Sequence, residues 1–294
     1  SSNTDMVVKA GRLPAPGETV TGGKFLMNPG GKGANQAVAV ARLGGNVAFV
    51  AKIGDDLFGQ QSLAHYQTEK IDTKFVFTDE IEPSGIALIS VDAQGENCII
   101  VAPGANGALT CNDVDKAREE IVSASYLLMQ LETPLETVTY AASLAYAAGV
   151  KVVLNPAPAP TSPLPDELLK YLHIIIPNET EAALLSGIPV TDKAPAHRAS
   201  EIIRNKGVDI VIITLGSDGV LVNDGGSLYE IPAVPVVAVD TTAAGDTFCG
   251  GLCVGLSEGM SLAEAVRFAC KAASITVTRM GAQTSIPQRS IVNF

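Results

Sequence analysis

Between residues 239 and 251 the chain reads Val-Asp-Thr-Thr-Ala-Ala-Gly-Asp-Thr-Phe-Cys-Gly-Gly. Two threonines, three small residues (Ala243, Ala244, Gly245) and a carboxylate, Asp246, stand between an apolar run over 234–239 and a small-residue, helix-prone segment over 248–256. That order predicts a strand, a tight turn and a helix start, with Asp246 in the first helical turn. Small residues let backbone N–H groups approach an anion closely, and the partly positive helix N-terminus favours it. A carboxylate beside an anion-binding turn makes chemical sense if it takes a proton from a hydroxyl while the turn stabilises charge on a phosphoryl group in transfer. The same residues would equally serve an ordinary strand–helix turn with a capping aspartate.

A second cluster, Asn28-Pro29-Gly30-Gly31-Lys32-Gly33-Ala34-Asn35-Gln36-Ala37, runs into an Ala-rich helix closed by Gly44-Gly45. The glycines permit close backbone approach to a ligand, and Lys32 and Asn35 stand beside them as donors. It is not a P-loop, because Gly33 follows Gly31-Lys32 where Ser or Thr is required. Nor is it a dinucleotide fingerprint, since Gln36 stands where the third Gly belongs, which removes a Rossmann dehydrogenase.

These clusters need a scaffold. The 294-residue chain is 47% hydrophobic, enough for a large buried core. From residue 113 the pattern alternates: helix 113–123, strand Tyr126–Met129, helix 135–148, strand 150–154, then apolar runs over 174–176 and 210–213. Apolar runs without alternation are strands buried on both faces, and regular strand–helix order implies a doubly wound, mainly parallel α/β sheet. Ligands in such sheets sit outside the carboxyl ends of the strands. Polar groups collect there in succession: Gln130 and Glu132, Asn155, Asn178 with Glu179 and Glu181, Thr214 to Gly219, and Asp240 to Asp246. Two β-prone pieces, residues 13–25 and the hairpin-like 84–101, fall outside this alternation and are read as a small sheet, a lid over the pocket, with an interface or decoration as the alternatives. The first residues carry no preceding apolar run, so a frayed terminus is expected around Asn3 and Asp5.

A net charge of −11 without basic blocks argues against nucleic acid or an anionic membrane as partner. No apolar run approaches the ~20 residues of a membrane span, and no signal peptide is visible. Five cysteines without a CxxC pair read as free thiols in a reducing cytoplasm, mostly small core residues.

The run Gly30 to Asn35 and the run Asp240 to Asp246, with Ala37, Gly44 and Gly54 at fitting intervals, resemble the two signatures of the ribokinase-like carbohydrate kinase family. The resemblance covers essentially the whole chain. Four strings, GGKGANQA from Gly30, QLETPLE from Gln130, NPAPA from Asn155 and TRMGAQ from Thr278, are most similar to its ribose-phosphorylating members. It implies a kinase body over 30–83 and 102–294, a lid over 6–29 and 84–101 that also clasps a homodimer, and ATP-dependent phosphorylation of D-ribose at the 5-hydroxyl in the cytoplasm. By the same resemblance Asp246 is the catalytic base and Ala243, Ala244 and Gly245 form the anion hole. Asn3, Asp5, Gly31, Lys32, Gly33, Asn35 and Glu132 hold the sugar. Asn178, Thr214, Leu215, Gly216, Ser217, Asp218, Gly219, Gly245 and Cys270 contact ATP, and Asn178 with Glu181 organises Mg²⁺ and phosphate. Asp240, Thr242, Thr276, Arg279, Gly281 and Ser285 surround K⁺, several through carbonyls. The fold's first strand is not evident ahead of Asn3, which leaves Asn3 and Asp5 on a loose segment, and the chain stops soon after Ile291, short of a final helix.

Within that class, kinases of fructose, 2-keto-3-deoxygluconate or a nucleoside compete with a ribose kinase. The scarcity of aromatics near the candidate sugar residues counts against a nucleobase. From another class, a non-catalytic sugar-binding relative would need neither Asp246 nor the small-residue turn.

Overall fold

The computed structural model describes residues 1–293; Phe294, the last residue of the expected kinase body, lies outside the described residues. The chain begins with β1 (Asn3–Lys9) and β2 (Lys24–Gly30). It then runs through α1 (Lys32–Arg42), β3 (Ala51–Gly54), α2 (Leu57–Thr68) and β4 (Val76–Asp79) before returning as β5 (Gly85–Val91) and β6 (Asn97–Ala102). After a 3-10 turn over Gly104–Ala108 come α3 (Cys111–Lys116), α4 (Arg118–Ser123), β7 (Tyr126–Met129), α5 (Leu135–Ala147), β8 (Lys151–Leu154), α6 (Asp166–Tyr171) and β9 (Ile174–Ile175). The remainder is α7 (Glu179–Ser186), α8 (Lys193–Arg204), β10 (Ile210–Thr214), β11 (Val220–Asn223), β12 (Leu228–Ile231), α9 (Ala244–Ser257) and α10 (Leu262–Thr276).

The main sheet has six strands in the order β12-β11-β10-β9-β8-β7. β7 to β10 are parallel, and β11 and β12 return antiparallel at one edge. Successive residues serve opposite faces, as a pleated strand dictates. Val152, Leu154, Ile175, Val211 and Ile213 pack with α5, α6 and α8, whereas Val153, Ile174, Ile176 and Ile212 pack with α9 and α10. The sheet is therefore covered on both sides, as the unbroken apolar runs required. A separate parallel pair, β3-β4, stands apart from it. A cavity of about 500 Å³ includes residues 46–50, ahead of β3, and residues 125–130, along β7, in its lining.

The small sheet has four strands in the order β2-β1-β5-β6, with β1 and β5 parallel and the outer pairs antiparallel. The N-terminus is thus not frayed: Ser1 to Thr4 are buried, and Asn3 and Asp5 sit in β1, a central strand of this sheet. Backbone pairing with both neighbours fixes them, a constraint that residues 1–9 alone do not reveal.

Two further expectations are corrected. Residues 234–239 form no strand: β12 ends at Ile231, and Val236, Val237 and Val239 are exposed. Pro232 and Pro235 each lack an N–H to donate to a ladder. The chain reaches the site as a loop tied at Val239 and Asp240, whose amides both donate to the Val277 carbonyl. The helix expected over 113–123 is two short helices meeting at Ala117, the first opened by a Thr110–Asp113 capping box.

Candidate active site

α9 carries Asp246, and its small residues decide where that carboxylate goes. A Cβ at Gly250 would lie 2.7 Å from Ala39 Cβ and 3.0 Å from the Gln36 carbonyl, and one at Gly251 would lie 3.2 Å from Ala269 Cα. Glycine at these positions lets α9 press against α1 on one side and α10 on the other. That approach brings Asp246 to two α1 side chains: Asn35 Nδ2 donates to its Oδ2 at 2.9 Å and Gln36 Nε2 to its Oδ1 at 3.1 Å. The cap of α9 is Ala243, in left-handed geometry (φ 60°, ψ 8°), and Asp246 stands at the third helical position with its oxygens on Asn35 and Gln36. The capping-aspartate reading is thereby removed. Left-handed backbone at an alanine costs on the order of 1 kcal/mol, and such strain is typical of functional turns.

Asp246 is only 6% exposed. Burial raises its pKa above the ordinary value, against Lys32, Asn35 and Gln36, which pull it down. The result is a carboxylate with heightened proton affinity that makes no salt bridge of its own among the described residues. Beside it, Asn35 Oδ1 is a buried acceptor with no hydrogen-bond partner, the one such side-chain atom among the described residues. Buried polar atoms are nearly always paired, so this oxygen calls for a hydroxyl or amine from a ligand.

The turn entering α1 completes the wall. Gly31 has φ 88°, and a Cβ there would fall 2.7 Å from the Asn3 amide nitrogen, so the turn requires glycine. The Lys32 amide donates to Glu132 Oε2 at 2.8 Å, placing that carboxylate on the helix N-terminus, where the helix dipole favours it. Ser1 Oγ donates to the same oxygen at 2.7 Å. Burial would lower the Lys32 pKa, but Asp246, Glu132, Glu181 and Cys249 outweigh it and hold the ammonium charged. Asp5 is pushed up to about 7 by burial and then by Glu132 and Asp246.

These groups line one cleft of about 830 Å³ at the carboxyl ends of β7 to β10, roofed by the small sheet. Each of two regions, the α9 turn and the glycine turn before α1, resembled the carbohydrate kinase signatures in sequence. A model of the pfkB family of carbohydrate kinases matches residues 1–289. The chain is a pfkB-family carbohydrate kinase. It is 48% identical over 289 residues to a ribokinase of Haemophilus influenzae, covering 98% of this chain and 94% of that one. It is 34% identical to a deoxyribokinase of Salmonella typhimurium, over 98% of this chain and 94% of that one. Its fold matches the structure of an Arabidopsis thaliana ribokinase complexed with ribose and ATP at a TM-score of 0.92 and 34% identity, over 99% and 95% of the two chains.

In this kinase the cleft gathers Asn3, Asp5, Gly31, Lys32, Asn35, Glu132, Asn178, Glu181, Thr214, Thr242, Ala243, Gly245 and Asp246 from the sequence expectations. Gly33 lies beneath, its amide donating to Ser1 Oγ at 3.0 Å, and the Ala244 amide donates to the Thr241 carbonyl at 3.3 Å. Asn178 and Glu181 cap α7 reciprocally, at 2.8 and 2.9 Å. Asn178 bridges Thr214, from which Leu215, Gly216, Ser217, Asp218 and Gly219 continue as a 3-10 turn outside the cleft lining. Cys270 is not brought to the cleft; it packs in the core with Phe248 and Val266. Asp240 joins two loops, accepting from the Thr242 amide and hydroxyl and from the Gly281 amide. Arg279 is on the same exposed loop, whereas Thr276 and Ser285 are buried.

Sequence reading missed Gln36 and Asn106; Asn155 stood among its strand-end polar groups, and its lid over 84–101 contains the cleft-lining Ala87, Ile89, Ile99 and Val101. Gln36 had a signal, a second amide in an otherwise Ala- and Val-rich helix. Its Nε2 also reaches Asn155 Oδ1 at 3.3 Å.

Proposed function

We propose that this chain transfers the γ-phosphoryl group of ATP to the 5-hydroxyl of D-ribose. The observation that carries the reading is the pairing of a buried, proton-hungry Asp246 with the unpartnered Asn35 Oδ1, at the N-terminus of a helix opening on a polyhydroxyl-sized cleft. Asn35 Oδ1 accepts one sugar hydroxyl, and Asp5, Asn3 and Lys32 meet others. The uncharged sugar suits this set of amides and carboxyls. Asp246 accepts the proton of the attacking hydroxyl as its oxygen bonds to the γ-phosphorus and the bond to the β–γ bridging oxygen breaks, releasing ADP. Of the expected anion hole, the Ala244 amide is held by the Thr241 carbonyl, whereas the Ala243 and Gly245 amides, with that of Asp246 beside them, have no intrahelical partner, as helix geometry requires. They face the charge that spreads over the phosphoryl oxygens in transfer. Asn178 and Thr214 to Gly219 border the nucleotide, and the roof strands β5 and β6 exclude water as a lid.

Two ions belong to the reading. Glu181 is 5% exposed and commits one oxygen to the α7 cap, leaving the other toward the cleft, a donor set that fits Mg²⁺ held mainly through phosphates and water. Mg²⁺ supplies neutralisation of phosphate charge when bound with ATP. The loops joined by Asp240 and Gly281 fit K⁺, with the carbonyl and hydroxyl oxygens of these loops as hard oxygen donors. K⁺ supplies positive charge near the α9 turn.

The small sheet's outer face supports a homodimer. Met27, Met6, Leu88 and Ile100 register across all four strands, and Met27, Leu88 and Ile100 are exposed, with Phe25 and Val8 in the next row. An apolar row of this kind marks an interaction surface, and this reading gives it to a second copy of the chain. Five unpaired cysteines, with Cys98 exposed, support a cytoplasmic location; no helix among the described residues is long and apolar enough to cross a membrane. The test of function is ³¹P NMR of the product from D-ribose and Mg-ATP. Ribose 5-phosphate is expected; phosphate on another hydroxyl would sink the assignment.

A further inference from the structure

Three of the lid's four stems meet at one buried side chain that the catalytic reading does not use. Asn106, 1% exposed, sits in the 3-10 turn Gly104–Ala108 directly after β6. Its Oδ1 accepts from the Ser2 amide at 2.7 Å. Its Nδ2 donates to the Ser2 carbonyl at 2.9 Å, to Asn3 Oδ1 at 2.8 Å and to the Pro103 carbonyl at 3.1 Å. An N–H donor on one side and three oxygens on the other fix which way this amide points. Asn3 begins β1 opposite Gly85, the first residue of β5, and a Cβ at Gly85 would overlap both Asn106 Nδ2 and Asn3 Oδ1. The starts of β1 and β5 and the end of β6 are thereby pinned together.

We infer that Asn106 is a positioning residue for the sugar. By occupying Asn3 Oδ1 it turns the Asn3 side chain so that Nδ2, which makes no hydrogen bond among the described residues, is presented to the cleft as a donor to a sugar hydroxyl oxygen. The same contact transmits any tilt of the lid stems to that donor, so lid closure and sugar grip are coupled through one amide. The inference rests on the assignment of Asn3 to the sugar.

The test is a double-mutant cycle on ribose affinity, by calorimetry, with Asn3→Ala, Asn106→Ala and the pair. Each single change is expected to weaken ribose roughly tenfold, the scale of one buried hydrogen bond lost. The double variant is expected to be no weaker than either single one, and ATP affinity to change by less than about twofold. A role in folding alone would lower the melting temperature and leave ribose affinity unmoved. Losses that multiply in the double variant, or an Asn106→Ala protein with undiminished ribose affinity, would overturn the inference. An Asn3→Ala protein that binds ribose normally would overturn the sugar assignment beneath it as well. Should Asn106→Ala fail to fold, Asn106→Asp keeps the acceptor for Ser2 and removes the donors, and the same cycle applies.

Discussion

Replacing Asp246 by asparagine isolates the proton acceptor while keeping its shape. In the parent, two amide N–H groups meet two carboxylate oxygens, from Asn35 at 2.9 Å and Gln36 at 3.1 Å. Asparagine offers one oxygen, so one donor faces another, a loss of about 1–3 kcal/mol for an unpaired buried group. Against that stands the removal of a buried charge whose pKa burial already raises. Net folding stability should therefore move by no more than about 2 kcal/mol. The rate should respond differently. Losing a general base costs about 10²–10⁴ in turnover, roughly 3–5 kcal/mol on the barrier. The assay pairs kcat from ADP release with ribose affinity from calorimetry, the second expected within about threefold of the parent. In the parent, kcat/KM should fall with acid along a limb lying above the ordinary aspartate range, because the ionised form is the active one. The amide should abolish that limb. A kcat loss below about tenfold would refute the general-base assignment.

Three further outcomes follow from the same geometry. Asn35→Ala removes the unpartnered acceptor and should raise the KM for ribose by at least about tenfold, with the KM for ATP little changed, by steady-state kinetics. Asp5, held up to about 7, makes the ligand-free fold pH-sensitive. Its unfolded carboxyl ionises near 4, so the stability it contributes is fully present below that pH and is lost as pH rises through about 7, up to about 4 kcal/mol. Asp5→Asn should flatten that part of the melting-temperature profile between pH 5 and 8; an unchanged slope would remove the argument. Gly250→Val places a branched side chain where Ala39 Cβ lies 2.7 Å from even a first carbon. It should cost about 1–3 kcal/mol in urea unfolding and lower kcat as Gln36 is pushed from Asp246.

The α9 turn was legible in sequence because its proposed chemistry and its local structure are the same residues: small groups before a helix, then a carboxylate. The glycine run before α1 was legible for a similar reason, since Gly31 has to accept φ 88° where the backbone meets Asn3. The unbroken runs at Val152 to Leu154 and Ile210 to Ile213 announced a sheet buried on both faces, and the two core clusters bear that out. What stayed hidden depends on partners distant in sequence. Residues 234–239 are as apolar as a strand, but Pro232 and Pro235, which have no N–H to donate, leave them a loop. Asn3 looked like a terminus because its pairing with Gly30 and Gly85 cannot be read from its own neighbourhood. Gln36 and Asn106 matter through bonds spanning 210 and 103 residues, to Asp246 and Asn3.

The central claim is sugar phosphorylation with ribose as the favoured acceptor. The most direct measurement is ADP release from Mg-ATP with D-ribose, 2-deoxy-D-ribose, D-fructose, 2-keto-3-deoxygluconate and adenosine, in K⁺ and again with K⁺ replaced by a large organic cation. The account predicts the highest kcat/KM on D-ribose and a marked fall when K⁺ is removed. No ADP release with any acceptor, while ribose still binds, would contradict it.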